Sequence, residues 1–149
     1  MISFKQFLHE NTKPLYVSRK LNNASQLVAW AKENGFVDIL NPDDMHVTIA
    51  YSKSPMNWAI IKPHTHDLTV QDESRCIKTL GNASVLRIDS AELQHRFKQF
   101  IQAGASYDHP DYQPHVTISY TKQNKDGIKP FTGILQFGAE KFEPIDEDK

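Results

Sequence analysis

The chain carries one stretch twice. His46-Val47-Thr48-Ile49-Ala50-Tyr51-Ser52-Lys53 returns 69 residues later (115 − 46) as His115-Val116-Thr117-Ile118-Ser119-Tyr120-Thr121-Lys122, with six of the eight positions identical. β-Branched and aromatic residues fill both copies, which predicts a β-strand for each. On a strand successive side chains face opposite ways. His46 and Thr48 therefore share one face with Val47 and Ile49 beneath, and His115 and Thr117 share one face with Val116 and Ile118 beneath.

The flanking sequence repeats as well. Residues 24–34 predict a helix whose inward stripe is Leu27, Val28, Trp30 and Ala31, ending at Gly35. Residues 91–103 predict another, capped by Ser90, with a stripe of Leu93, Phe97, Phe100 and Ile101, ending at Gly104. From each glycine to the following histidine is 11 residues (46 − 35 and 115 − 104). Strands are expected at Leu15–Arg19, Arg75–Leu80, Ser84–Ile88, Ile134–Phe137 and Lys141–Ile145, with a tight hairpin at Gly81-Asn82. A turn is expected at Asn41–Asp44. Residues 3–10 read as a short amphipathic helix, residues 52–66, with Pro55 and Pro63, as a long loop, and Asp146–Lys149 as a solvated tail. Mixed helices and strands in a duplicated order predict an α+β fold. It would be one domain over 1–149, with two lobes (roughly 14–80 and 83–145, strands possibly exchanged between them) about a pseudo-twofold axis. Antiparallel sheets would line a central groove with helices outside.

Composition sets limits on function. A chain of 149 residues, 39% hydrophobic and 23% charged, has the make-up of a globular domain. Its net charge of −1 offers no basic face for long nucleic acid, although a few local donors can hold a small anion. The single Cys76 forms no intrachain disulfide, and no apolar run has the length of a membrane span.

Two facing His-Thr pairs suit phosphoryl chemistry. One imidazole can take a proton while the other gives one, since the free pKa is about 6.5. Threonine hydroxyls can donate to the non-bridging oxygens of a phosphate. Positions i and i+2 lie roughly 6–7 Å apart along a strand, so their tips can converge on one phosphate. A ribose 2′-OH next to that phosphate would be the nucleophile. Which histidine is base and which acid stays open.

With both His-x-Thr-hydrophobic motifs complete, the chain resembles the two-histidine phosphoesterase superfamily, which carries such motifs on facing strands of a duplicated α+β fold. Relatives act on 2′,3′-cyclic phosphates, 2′-5′ linkages and oligonucleotide ends. A narrower resemblance runs along nearly the whole chain, through Phe4-Lys5-Gln6-Phe7-Leu8, Leu15-Tyr16-Val17, Leu27-Val28-Ala29-Trp30, Asp111–Tyr120 and Phe137–Ile145. These segments are similar to a family of small phage proteins that degrade cyclic di- and trinucleotide messengers, such as 3′3′-cyclic GMP-AMP, and so counter bacterial CBASS immunity. The resemblance implies that His46, Thr48, His115 and Thr117 are catalytic, that Tyr16 stacks on a base and that Glu143 reads a base edge. It implies no cofactor and no metal, a cyclic oligonucleotide as substrate, and the cytoplasm of an infected bacterium as the place of action. An RNA-end or 2′-5′ phosphodiesterase of the same superfamily is the alternative, and a non-cleaving cyclic nucleotide sponge a third reading.

Other residues have plainer expectations. Tyr51 and Tyr120, five past each histidine, fall on the opposite parity to the threonines and are expected in the core. Tyr16 can fill the sheet as readily as stack on a base. Lys53 and Lys122 are either solvated or draw a phosphate toward the groove. His64-Thr65-His66 has the spacing of a chelating strand, with His109 as a third ring, but no cysteine or carboxylate stands at matching ligand spacing, so a metal is not expected there.

Overall fold

The computed structural model describes residues 12–71 and 73–145. The predicted helix at 3–10 and the tail at 146–149 lie outside them. The described chain runs β1 (Thr12–Leu21), α1 (Ala24–Glu33), β2 (His46–Asn57), β3 (Leu68–Val70), β4 (Arg75–Leu80), β5 (Ala83–Ile88), α2 (Ala91–Gln102), β6 (His115–Ser119) and β7 (Leu135–Glu143). Short 3₁₀ turns at Pro42–Asp44 and Trp58–Ile60 flank β2. The strands form one antiparallel sheet in the order β3-β7-β1-β2-β6-β5-β4. This is the expected α+β class. No described helix is long and apolar enough to cross a membrane.

Both helices end as their glycines require. Phe36 N–H donates to Ala31 O at 3.0 Å, and Gly35 N–H to Lys32 O at 3.2 Å. Ala105 N–H donates to Phe100 O at 3.0 Å, and Gly104 N–H to Ile101 O at 3.1 Å. These are two copies of one Schellman closure, with Gly35 at φ +77° and Gly104 at φ +106°. A Cβ built on Gly104 would meet nothing within 4 Å. The cost of Gly104→Ala is thus conformational, and a loss of roughly 1–2 kcal/mol in urea unfolding with unchanged m is expected.

The helices bury Leu27, Ala31, Leu93 and Phe100 in a core completed by Val47, Ile49, Val116 and Ile118 from the two repeated strands. Those strands meet in the middle of the sheet, where Val47 pairs with Val116 and both are wholly buried.

Three details depart from expectation. β2 runs on to Asn57 through Pro55, where a loop was expected. Pairing resumes at Lys13↔Met56 after a register shift that leaves Pro14 and Pro55 out of the ladder, the place in a sheet that tolerates proline. The two expected C-terminal strands are one, β7, with Gly138 inside a register shift opposite Arg19 and Leu21. The short strand Leu68–Val70, unforeseen, pairs with the front of β7.

Candidate active site

The register of the central pair sets the site. β2 and β6 are antiparallel about Val47↔Val116. Counting out from that pair, His46 falls opposite Thr117 and Thr48 opposite His115. Each histidine therefore has the other repeat's threonine as its cross-strand neighbour. The two histidines are diagonal neighbours, a separation of roughly 7–8 Å between backbones. The His46 ring lies close enough to disfavour a positive charge on His115.

Both imidazoles are held alike. His46 Nδ1 lies 2.7 Å from Asp44 O, and His115 Nδ1 lies 2.7 Å from Gln113 O. A carbonyl only accepts, so Nδ1 carries the proton, and Nε2 of each neutral ring keeps its lone pair. Burial is the main cause that pushes the His115 pKa below the ordinary imidazole value. The hydrogen bond to Gln113 opposes this shift and the proximity of His46 adds to it.

Tyr16 stands between two cavities and lines both. One, of about 600 Å³, is bounded by Tyr16, Ser18, His46, Tyr120, Lys141 and Glu143. The other, of about 310 Å³, is bounded by Tyr16, Thr48, Tyr51, Gln113 and His115 among others. The Tyr16 hydroxyl is 3.0 Å from Thr48 Oγ1. Its ring lies 6.4 Å from that of His46, and Glu143 is its cross-strand partner on β7. Burial raises the Tyr16 pKa, and the nearby Glu143 and Tyr120 add to it, while the bond to Thr48 works the other way. Thus His46, Thr48, His115, Tyr16 and Glu143 gather on one face. Thr117 joins them through its register opposite His46, though it borders neither cavity. Lys53 sits at the rim, its Nζ 2.9 Å from Asp108. His64 and His66 are elsewhere, on the reverse of the strands, and His109 borders the smaller cavity, so the three rings do not converge.

Tyr51 and Tyr120 correct the expectation from alternation. Both border the groove, and Tyr51 packs edge-on against Tyr16 with centroids 5.5 Å apart. The cause is one extra residue after each threonine. β1 pairs Ser18↔Thr48 and then Val17↔Ala50, skipping Ile49. β5 pairs Val85↔Thr117 and then Ser84↔Ser119, skipping Ile118. Each β-bulge reverses the facing of every later residue. Ile49 and Ala50 are both buried, as are Ile118 and Ser119, and the tyrosines turn to the groove. Tyr112 donates its hydroxyl to Thr48 O at 2.7 Å beside the first bulge.

A family model described as anti-CBASS protein Acb1 matches residues 13–149. A protein of Vibrio phage KVP40 described as anti-CBASS protein Acb1 is 34% identical over 137 residues, covering 88% of this chain and 87% of the relative. This chain belongs to the anti-CBASS Acb1 family. A Caulobacter sp. (strain RHG1) protein of the same description is 45% identical over 144 residues, and a Sphingomonas paeninsulae one 39% over 147. The chain spans only 23% and 24% of the length of these two relatives. Among solved structures, this Acb1-family chain shares its fold with a phosphoesterase (TM-score 0.61, 13% identity, 88% of this chain and 87% of that one). It also shares it with Escherichia coli LigT complexed with 3′-AMP (TM-score 0.57, 13% identity, 91% and 96%).

Proposed function

We propose that this Acb1-family chain is a metal-independent phosphodiesterase that opens cyclic di- and trinucleotide messengers in the cytoplasm of an infected bacterium. The observation that carries the reading is the crossed pairing of the two His-Thr motifs, each imidazole fixed through Nδ1 with no partner at Nε2 among the described residues. The scissile phosphate sits between the pairs. His115, which burial keeps unprotonated near neutral pH, takes the proton of the ribose 2′-OH. The 2′-oxygen attacks the adjacent phosphorus, and the bond to the 5′-oxygen breaks as His46, entering the step as imidazolium with a second proton on Nε2, gives that proton to the departing oxygen. The products are an opened strand with a 2′,3′-cyclic phosphate and a free 5′-hydroxyl. Thr48 and Thr117 hydrogen-bond the non-bridging oxygens as negative charge grows there. Tyr16 stacks on one base and Glu143 accepts from its edge, a role supported by their pairing across β1 and β7 beside the larger cavity.

Chromatography after incubation in EDTA with cyclic dinucleotides, 2′-5′ oligoadenylate and 2′,3′-cyclic nucleotides tests this. Opening of the cyclic dinucleotides is expected. Cleavage confined to the other substrates would favour the RNA-end or 2′-5′ reading, and recovery of unaltered messenger from the denatured complex would favour a sponge. The pH profile gives a second check. As pH falls through the His115 pKa the base gains a proton and kcat/KM declines. Because that pKa is depressed, the midpoint of the acid limb should lie below about 6.5. An acid limb centred above that value would remove His115 as base.

A further inference from the structure

His64-Thr65-His66 and the reverse face of β1 have no part in the groove. His64 and His66 border a separate cavity of about 270 Å³, with Arg19, Glu92, Arg96, Gln99 and Glu140 among its walls. None of its lining residues borders either groove cavity. The alternation along β1 and β7 explains this, since Arg19 points away from Ser18 and Lys20, and Glu140 away from Lys141.

Two guanidinium groups, Arg19 and Arg96, and two carboxylates, Glu92 and Glu140, border this cavity. Arg96 is 8% exposed and grips Glu140 with two bonds, Nε to Oε2 at 2.8 Å and Nη2 to Oε1 at 2.7 Å. The same Arg96 donates to Gln99 Oε1 and Lys62 O, and the Glu140 carboxylate accepts in addition from His64 N–H. That carboxylate is thereby saturated by its arginine and a backbone donor.

Arg19 is different. It is 3% exposed, yet no carboxylate among the described residues comes within ion-pair distance of it. Its Nη1 donates to His66 O and Gly138 O, both at 2.8 Å. Its Nε and Nη2 have no acceptor among the described residues. Glu140, Asp67 and Glu92 act on it only through space, and Glu92 lies exposed at the first turn of α2. Glu140 is taken up by Arg96, and Glu92, which also borders the cavity, makes no ion pair with Arg19. The two Arg19 donors, Nε and Nη2, open onto the cavity, where an anion can complete them.

We propose that this cavity binds an oxyanion of the phosphate class, held by the open edge of the Arg19 guanidinium and capped by the imidazoles of His64 and His66. Planar guanidinium donors match two oxygens of a tetrahedral phosphate. The His64 and His66 rings, 5.1 Å apart and tilted by 32°, line the same cavity, with His64 Nδ1 3.9 Å from Glu140 Oε2, and each can offer a ring N–H. The cavity is a little smaller than the ~300–1,000 Å³ typical of drug-sized ligands, which suits a phosphate group more than a whole nucleotide.

Histidine NMR on the full chain tests the site, since it reads His64 and His66 separately from His46 and His115. Titration with inorganic phosphate should shift the His64 and His66 resonances saturably. Arg19→Met should abolish that response and leave the His46 and His115 responses in place. His66→Ala changes an exposed residue and keeps the test open should the Arg19 variant not fold; there, the His64 response should need several-fold more phosphate. A parallel titration with 5′-AMP separates the sources. A response at lower concentration than with phosphate assigns the site to the phosphate end of a nucleotide, and an equal or weaker one to free phosphate. Stationary His64 and His66 resonances while His46 and His115 respond, or shifts that both variants leave unchanged, would overturn the proposal.

Discussion

His115→Ala should lower kcat for the opening of a cyclic dinucleotide by about 10²–10⁴-fold, and His46→Ala by a similar factor. Neither ring carries the core. Both are half-buried, and the hydrogen bond from Nδ1 to a backbone carbonyl orients each of them. The urea midpoint should therefore move little while turnover collapses. The double variant should be scarcely worse than either single one, because a base without its acid partner has already lost the concerted step. Crossed pairing adds a further expectation. Thr48 neighbours His115 and Thr117 neighbours His46, so losses from Thr48→Ala should be less than additive with those from His115→Ala. Rates in both single variants near wild type would refute the catalytic assignment outright.

Arg96→Met should cost about 3–5 kcal/mol of stability, the usual result of stranding one member of a buried pair. The Glu140 side chain is fully enclosed and Arg96 bonds both of its oxygens. Burial by itself would raise the Glu140 pKa, but the bonds from Arg96 and from the His64 amide outweigh it and hold the carboxyl below its ordinary value. A depressed carboxyl pKa stabilises the fold above the unfolded pKa, and this contribution fades as pH falls through the folded value. The gap between wild type and variant should thus be widest near neutral pH and narrow below about pH 4. Urea unfolding at several pH values measures it. A gap that stays constant with pH would mean that the lost packing of the long side chain, and not the charge, accounts for the deficit.

Much of this was legible in the residues because local chemistry decided it. Gly35 and Gly104 close their helices where the apolar stripes stop, Ser90 caps the second helix through its hydroxyl, and Gly81 turns the β4–β5 hairpin at φ +59°. The His-Thr strands declared themselves by repetition. What stayed hidden depended on pairing across the chain. Pro55 reads as a breaker until β1 offers a register shift to hold it. Gly138 reads as a boundary until Arg19 takes its carbonyl. Tyr51 and Tyr120 obey alternation on paper, and only the partner strands reveal the skipped Ile49 and Ile118. The Arg19 cavity has no signal in sequence either, since its members come from β1, β7, α2 and the segment after Trp58–Ile60.

The skipped isoleucines also bear on descent. In both repeats the kink falls at the third residue past the histidine, where that residue and the next are both buried. Had each half acquired it separately, the same insertion would have had to settle twice at the same spot. A single ancestral half that already turned its tyrosine outward, copied whole, accounts for both with one event.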